Sequence, residues 1–222
     1  MVKADGYGHG AAPVARAALQ AGATEIGVAT VGEALALRAA GVLAPVIAWL
    51  HTPSTDFAAA VQAGVEVVVS TPGQLDAVIA AAHRLGRTAT VGVKVDTGLA
   101  RSGVCERDWP DICALLKDEA LVLRTVMCHL ARGDEPGHPL NAAQAAGLDD
   151  RVVDLRRAGL RPQRVHLANS AAALTDRRLS RDIVRTGIAI YGRSPVPALG
   201  HFGLLPAMTM TAAVARGRRS LV

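Results

Sequence analysis

The chain has 222 residues, a length that is long for an average domain but normal for an α/β barrel. Half of the residues are hydrophobic and 19% are charged, a composition that excludes a disordered chain. The formal net charge is +5, but the arginines are scattered along the sequence and aromatic residues make up only 3%. This pattern argues against nucleic acid as a partner.

The cysteines and the apolar runs restrict the location of the protein. Cys105, Cys113 and Cys128 are odd in number and lack CxxC spacing, so neither a disulfide framework nor a metal site is predicted. No apolar run has the length of a membrane span, and no signal peptide precedes Lys3. We therefore expect a soluble, cytoplasmic protein with reduced thiols and no membrane partner.

Short β-branched runs alternate with alanine- and leucine-rich stretches that have helical spacing. The predicted strands are a stub at 1–3 and the runs 26–30, 45–50, 65–70, 90–96, 124–130, 164–169 and 183–191. The predicted helices are 11–21, 31–40, 55–63, 73–85, 107–117 and 142–158. Apolar strands separated by helices indicate a parallel sheet covered on both faces. Eight such units favour a TIM-type (β/α)8 barrel over an open doubly wound sheet.

Both ends of the chain look incomplete for such a barrel. We expect a barrel over residues 1–198, with its first strand largely missing, and the start of a truncated second β domain over residues 199–222. Residues 205–216 alternate as an opening strand would, and a frayed tail is the alternative. Because a barrel needs all its strands to remove its sheet edges, the sequence is expected to be a piece of a longer protein.

Lys3 is the first candidate for chemistry. It opens a glycine-rich turn that runs to Gly10, and it is one of three lysines against twenty-one arginines. A lysine amine can lose its proton and attack a carbonyl group, whereas a guanidinium cannot. Taken alone, a lysine in such a turn is more often a solvated loop residue than a reactive one.

Further polar residues gather where the predicted strands end, which is where a TIM-type barrel places its active site. They are Tyr7, Asp96, Arg101, His129, His166, Asn169, Ser170 and Arg185. Asn169 and Ser170 open a short helix, and Gly187 and Ile188 offer backbone amides near the chain's last predicted barrel strand. Helix amides, a hydroxyl and a glycine suit a phosphate ester, so the sequence predicts a phosphate pocket here.

Four sequence motifs follow one another along the chain. They are VKADGYGHG at 2–10, VDTGLARSGV at 95–104, HLANSAA at 166–172 and RTGIAIYG at 185–192. Together they resemble the bacterial alanine racemase family over nearly the whole chain. The resemblance implies a pyridoxal-phosphate-dependent isomerase that interconverts L- and D-alanine, supplies D-alanine for peptidoglycan and is a homodimer at full length. Serine or lysine as the substrate stays open.

The resemblance also implies roles for residues. The implied catalytic residues are Lys3, Arg101, His129 and Arg185. The implied cofactor contacts are Lys3, Tyr7, His166, Asn169, Ser170, Arg185, Gly187 and Ile188. Lys3 would hold the cofactor covalently and act as a base, and Arg101 would bind the substrate carboxylate. Arg185 would face the pyridine nitrogen with His129 and His166 behind it, although either histidine could also be plain core.

Some positions depart from the family pattern or allow an alternative. Lys94 matches a lysine that is carbamylated in some members, but a buried lysine paired with Asp96 or another acid explains it equally well. Ala100 and Ser102 replace the residues that commonly flank Arg101. The family's second base is a tyrosine from the β domain of the partner subunit.

The chain has two tyrosines, and neither matches the motif of that second base. We therefore expect this fragment by itself to be weakly active or inactive. Two other interpretations remain: a single-domain, non-racemase pyridoxal phosphate protein of the homeostasis type, and a remnant with an interaction role alone. Proteins of the homeostasis type do not carry the Arg185 motif together with HLANSAA. A remnant with an interaction role alone would hold no cofactor covalently.

Overall fold

Six parallel strands form one curled sheet in which spatial neighbours follow chain order. The structure, a computed structural model, describes residues 1–213. The strands are β1 (Ile26–Val28), β2 (Val46–Ala48), β3 (Val65–Val69), β4 (Ala89–Lys94), β5 (Leu121–Met127) and β6 (Arg164–His166). Each strand pairs in parallel with the next, as the alternation of strands and helices predicts.

Helices connect these strands and cover the outside of the sheet. Within the described range they are α1 (Ala11–Gln20), α2 (Val31–Ala39), α3 (Phe57–Gln62), α4 (Pro72–Leu85), α5 (Trp109–Leu115), α6 (Pro139–Arg157) and α7 (Ser170–Thr175). Local chemistry fixes several starts. Thr30 and Glu33 form a capping box at α2, and Asn169 caps α7 by accepting a hydrogen bond from the Ala172 amide at 3.0 Å.

The two ends of the barrel domain meet between β1 and β6. The Val2 amide donates to the Gly27 carbonyl at 2.9 Å, and the Met1 amine donates to the Thr186 carbonyl at 3.0 Å. On the other side, Ile183 forms a parallel bridge with His166. The stub and residues 183–186 thus occupy the first and eighth barrel positions, and they close the ring that six regular strands leave open.

The eighth strand is shorter than the predicted run 183–191. Extended backbone ends at Gly187, whose φ and ψ of −109° and −95° are not those of a strand, and Ile188–Tyr191 form a 3-10 helix. The Ser170 hydroxyl accepts hydrogen bonds from the Gly187 and Ala189 amides, which turns the chain away from the sheet. The hydrogen-bond acceptor of these two amides is therefore a side chain instead of the carbonyl of a neighbouring strand.

The inside of the barrel carries a buried ion network. Arg124 on β5 donates to Glu66 on β3 at 2.6 Å and also to Glu25, just before β1. Room for the Glu66 carboxylate comes from Gly92 on β4, where a Cβ would lie 3.1 Å from Glu66 Oε1 and 3.0 Å from Thr125 Cβ. The Arg124 guanidinium thus connects β5 to β3 and to the residue that precedes β1.

The segment after the barrel does not show the predicted strand over its described part. Residues 205–213 have no regular secondary structure, because no neighbouring strand offers them a ladder of hydrogen bonds. Residues 214–216 of that predicted strand lie outside the described residues. Within residues 1–213, no helix is long and apolar enough to cross a bilayer.

Candidate active site

Lys3 stands at the start of a left-handed turn. Four consecutive residues after it have positive φ: Ala4 (51°), Asp5 (50°), Gly6 (63°) and Tyr7 (55°). Glycine adopts this left-handed backbone conformation freely, whereas the conformation costs about 1–2 kcal/mol for each residue that has a Cβ. The Asp5 carboxylate accepts a hydrogen bond from the Ala11 amide at 2.8 Å and so joins the turn to α1. Backbone strain of this kind persists where surrounding contacts hold it, often at functional sites.

A cavity of about 780 Å³ opens beside Lys3 at the carboxyl ends of the strands. Ten of the predicted residues line it: Lys3, Tyr7, Lys94, Arg101, His129, Asn169, Ser170, Arg185, Gly187 and Ile188. This volume is typical of a site for a cofactor and a small substrate. The structure thus brings together residues from five separate parts of the sequence at the end of the barrel where active sites lie.

The lining of this cavity is cationic. Lys3, Lys94, Arg101 and Arg185 contribute positive charges, and Asp134 is the single acidic residue among the described lining residues. An excess of positive charge in a concave, partly dry site attracts anions and strengthens charge-assisted hydrogen bonds to them. The site therefore suits a ligand that carries phosphate and carboxylate groups.

The guanidinium of Arg185 is buried in the wall of the cavity. Its Nη2 donates to the Cys128 carbonyl at 2.8 Å, and its Cζ lies 5.8 Å from the centroid of the Trp49 ring. Burial lowers the pKa of Arg185 to about 10, so the group remains a cation at neutral pH. Its Nε is a buried donor without an acceptor among the described residues. Because buried donors are normally paired, a ligand acceptor such as a ring nitrogen fits this position.

His129 supports Arg185 from behind. Arg185 Nη2 lies 3.4 Å from His129 Nδ1, which has to be the unprotonated nitrogen in order to accept. Burial, followed by the charges of Arg185 and Arg101, lowers the pKa of His129 to about 3. The ring is therefore neutral at pH 7, and it acts as an acceptor that orients the arginine.

Lys94, the last residue of β4, is a buried amine that also lines the cavity. Its Nζ donates to the Arg101 carbonyl at 3.2 Å and to the Ser102 hydroxyl at 2.5 Å. Burial, followed by the charges of Arg101 and Arg185, lowers the pKa of Lys94 to about 8. A neutral, nucleophilic form of this amine is thus accessible near physiological pH.

The alternative explanation of Lys94, an ion pair with Asp96 or another acid, is not found among the described residues. The Asp96 carboxylate accepts hydrogen bonds from the amides of Gly98 and Ala100, both at 3.0 Å, and so folds the loop that carries Arg101. The guanidinium of Arg101 makes no hydrogen bond within residues 1–213 and is free to meet an anionic ligand.

The predicted phosphate pocket is assembled from three segments. The Ser170 hydroxyl accepts hydrogen bonds from the amides of Gly187 at 2.8 Å and Ala189 at 3.3 Å. A Cβ on Gly187 would lie 2.5 Å from the Tyr7 hydroxyl, so only glycine allows this approach. A serine hydroxyl, a tyrosine hydroxyl and backbone amides, including that of Ile188, thus converge on one end of the cavity, as a phosphate group requires.

His166 does not line this cavity. The register of β5 and β6 pairs His166 with Met127, so His129, two residues further along, lies one inward layer higher. His166 borders a second cavity of about 320 Å³ between β1 and residues 183–186. Both ring nitrogens are buried without a partner among the described residues, and burial, followed by the charge of Arg185, lowers the pKa of His166 to about 3. The structure therefore places His166 outside the main cavity, in the smaller cavity that Arg185 also lines.

The sequence analysis missed Trp49 and Asp134, which also line the main cavity. Trp49 ends the predicted strand 45–50, so the positional signal that identified His129 applies to it as well. Asp134 lies in a polar loop without periodicity, and no sequence signal distinguishes it from its neighbours. Trp49 contributes the aromatic face against Arg185.

The fold and the site indicate a class of proteins, namely barrels that hold an anionic cofactor with a carbonyl group. The features that indicate this class are the lysine on a strained turn and the cationic cavity at the carboxyl end of the barrel. The sequence model of the alanine racemase N-terminal domain matches residues 1–195. The chain therefore belongs to that family, as its motifs predict.

Known relatives agree in sequence and structure. Alanine racemase of Mycolicibacterium smegmatis is 53% identical over 219 residues, which are 97% of this chain and 56% of that protein. Alanine racemase of Streptomyces lavendulae superposes with a TM-score of 0.90 at 43% identity, covering 93% of this chain and 56% of the other. Alanine racemase of Bartonella henselae, solved with covalently bound pyridoxal phosphate, superposes with a TM-score of 0.78 at 26% identity, covering 87% and 56% of the two chains. The chain spans slightly more than half the length of these relatives.

Proposed function

We propose that this chain is the pyridoxal-phosphate-binding barrel of a cytoplasmic alanine racemase that supplies D-alanine for peptidoglycan. One observation carries the proposal: Arg185, whose buried Nε has no acceptor in the described chain, lines the same cationic cavity as Lys3. The family match and the covalently bound pyridoxal phosphate of the Bartonella henselae relative support the choice of cofactor. The three free cysteines are consistent with a reducing compartment.

Each of the cavity residues would have a role that follows from its chemistry. Lys3 would attach the cofactor covalently and remove or return a proton at the substrate Cα. When bound, pyridoxal phosphate withdraws electrons from the attached amino acid and makes its Cα proton acidic. Arg185 would remain protonated and donate its Nε–H to the ring nitrogen, with neutral His129 holding the guanidinium in place. Arg101 would bind the substrate carboxylate.

The phosphate would be held at the other end of the cavity. Ser170 would offer its hydroxyl proton and Ile188 its backbone amide, while the Gly187 amide donates to the Ser170 oxygen and so orients that hydroxyl. Tyr7 offers a second hydroxyl beside Gly187. Asn169 fixes the start of α7, from which Ser170 projects. Anchoring one end of the cofactor in this way restricts its reactive carbonyl to the region of Lys3.

Racemisation needs a second base on the opposite face of the substrate. Tyr191 is not free for this role, because its hydroxyl donates to the Met1 carbonyl at 2.8 Å and burial raises its pKa to about 12. We propose that the second base belongs to a β domain of the partner subunit in a homodimer, and that residues 199–222 begin such a domain. Leu205 and Met210, which are 83% and 90% exposed, are apolar residues that such a domain would cover.

Lys94 is proposed as a site of carbamylation. Its amine is buried among arginines and has no carboxylate partner within the described residues. The ammonium group first loses one proton, and addition of carbon dioxide to the neutral amine then forms an N–C bond and releases a second proton, so that an anion replaces the buried cation. That anion would pair with the Arg101 guanidinium and would hold it towards the substrate.

Covalent trapping tests the cofactor site. The purified chain is incubated with pyridoxal phosphate, reduced with borohydride and mapped by mass spectrometry. We expect the mass increase on Lys3 and its loss in Lys3→Ala. Lys117→Ala is the matched control, because Lys117 is exposed and lies outside the cavity. A label distributed over all three lysines, or one that Lys3→Ala leaves unchanged, would contradict the proposal.

A further inference from the structure

Lys3 is held from both sides by one structural unit, which consists of β1 and the first turn of α2. On its amino side, the buried Val2 donates its amide to the Gly27 carbonyl in β1 at 2.9 Å. On its carboxyl side, Ala4 donates its amide to Glu33 Oε1 in α2 at 2.8 Å. The backbone that carries the nucleophilic amine therefore has two anchors, one in the strand and one in the helix that follows it.

The second anchor depends on both oxygens of the Glu33 carboxylate. While Oε1 of Glu33 accepts the Ala4 amide, Oε2 accepts the Ala29 amide at 2.7 Å and the Thr30 amide at 3.2 Å. The capping box of α2 needs Oε2 alone, because it ends at the Thr30 amide. The bond from Oε1 to the Ala4 amide, which is 29 residues away in sequence, is additional to the cap.

This additional bond acts where the backbone is most strained. Ala4 is the first of the residues with positive φ, and its amide has no acceptor inside the turn. The turn's own hydrogen bonds run from the Gly6 amide to the Val2 carbonyl, from Gly8 to the Ala4 carbonyl and from Gly10 to the Asp5 carbonyl, and none of them uses the Ala4 amide. Glu33 therefore supplies the acceptor for the amide next to Lys3, at the strained start of the turn.

We infer that Glu33 is a positioning residue for Lys3: its Oε1 orients the left-handed turn so that the lysine amine faces the cavity. This inference rests on the proposed attachment of pyridoxal phosphate to Lys3. A glutamine at position 33 keeps the length of the side chain but has one acceptor oxygen, and its NH2 group would face an amide donor. It can serve the Ala4 amide or the cap, but not both.

Thr30→Ala provides the matched control. The Thr30 hydroxyl accepts the Glu33 amide at 3.2 Å, so its removal weakens the same helix cap without touching the turn of Lys3. A general loss of stability at the start of α2 would affect Glu33→Gln and Thr30→Ala alike. A positioning role affects Glu33→Gln alone.

The experiment measures two quantities on the full chain. The first is the rate of covalent attachment of pyridoxal phosphate to Lys3, by borohydride quenching and mass spectrometry. We expect about a tenfold lower rate in Glu33→Gln, the effect of one lost charge-assisted hydrogen bond, and a near wild-type rate in Thr30→Ala. The second is hydrogen exchange of the Ala4 amide by NMR without cofactor, which we expect to be slow in the wild type and in Thr30→Ala and fast in Glu33→Gln.

The outcomes separate this inference from the proposed function. Equal attachment rates in Glu33→Gln and Thr30→Ala, or a rapidly exchanging Ala4 amide in the wild type, would overturn the role of Glu33. The wild-type exchange measurement holds even if Glu33→Gln does not fold. Absence of label on Lys3 in the wild type would instead reject the proposed function, while slow exchange at Ala4 would still support the anchor.

Discussion

The Arg185 guanidinium lies 3.4 Å from Nδ1 of His129 and joins the segment that closes the barrel to the end of β5. A cation that keeps its charge at neutral pH thus faces an imidazole that burial and neighbouring charges keep neutral, with a pKa of about 3. His166, one layer lower, is also held neutral with a pKa of about 3. The barrel interior therefore contains two histidines that stay neutral in the folded protein at neutral and mildly acidic pH.

We expect the chain to lose stability on acidification, in part because of His166. Its pKa is about 3 when folded and about 6.5 when unfolded, so between these values the unfolded chain binds the extra proton. The free energy of unfolding then falls by about 1.4 kcal/mol per pH unit for each such histidine as the pH falls. Urea unfolding between pH 4 and pH 6.5, which we propose as the measurement range, should show a shallower slope in His166→Leu (about one proton less).

His83 provides the control for this pH dependence. The hydrogen bond that His83 donates to the Asp118 carboxylate raises the pKa of the exposed His83, so His83 favours the folded state at low pH and loses this effect as the pH rises. His83→Gln should therefore leave the slope between pH 4 and pH 6.5 nearly unchanged, because the stabilising effect of His83 is already complete below its unfolded pKa of about 6.5. A wild-type slope in His166→Leu would show that His166 is protonated in the folded protein.

Arg38 is expected to stabilise the barrel without forming an ion pair. Its guanidinium donates to the carbonyls of Val42 at 2.6 Å, Ala44 at 2.7 Å, Ala63 at 3.0 Å and Gly64 at 3.1 Å, and so joins the ends of α2 and α3. Arg38→Met leaves these carbonyls without a donor and should lower the free energy of unfolding by about 2 kcal/mol. Chemical denaturation measures this loss.

Arg87→Met is the matched control for Arg38. Arg87 donates to a single carbonyl, that of Gln62, at 3.1 Å and at the surface. Its replacement should change the stability by less than about 0.5 kcal/mol. Equal losses in the two variants would show that the four carbonyl contacts of Arg38 have no special effect.

Gly187 should be essential for the affinity of the phosphate pocket. Gly187→Ala places a Cβ 2.5 Å from the Tyr7 hydroxyl oxygen and 3.3 Å from its ring carbon Cζ. We expect the Kd for pyridoxal phosphate to rise about tenfold or more, measured by fluorescence titration. The penalty should be smaller in a Tyr7→Phe background, because the closest atom is then absent. Gly73→Ala, at a position with open space, should bind as the wild type does.

Lys94 should react with carbon dioxide more readily than an ordinary lysine. With a pKa of about 8, about one tenth of its amine is neutral at pH 7, compared with less than one in a thousand for an unperturbed lysine. In ¹³C-bicarbonate we expect a carbamate NMR signal that grows as the pH rises through 8 and is absent in Lys94→Met. A signal that persists in Lys94→Met would assign the reaction to another amine.

The sequence was sufficient for features that depend on local patterns. The alternation of apolar runs with helical stretches predicts β1 to β6 and their order, because period and capping are properties of neighbouring residues. The motif that begins at Lys3 and the polar residues at strand ends predict most of the cavity lining. The run 183–191 was predicted as one strand, and the contact between Ser170 and the Gly187 amide, seventeen residues apart, ends it early.

The positions of two histidines separate what the sequence determined from what only the tertiary structure decided. Both His129 and His166 stand near strand ends, and the sequence marks both as candidates for the site. Only the register of β5 against β6, which pairs Met127 with His166, places His129 in the cavity and His166 beside the smaller cavity below it. Register depends on how two distant strands pair, and a shift of two residues moves a side chain by about 7 Å along the barrel. The order of the elements and the motif that marks Lys3 as the candidate nucleophile are local properties of the sequence, whereas the layer that each inward side chain occupies is a property of the closed barrel.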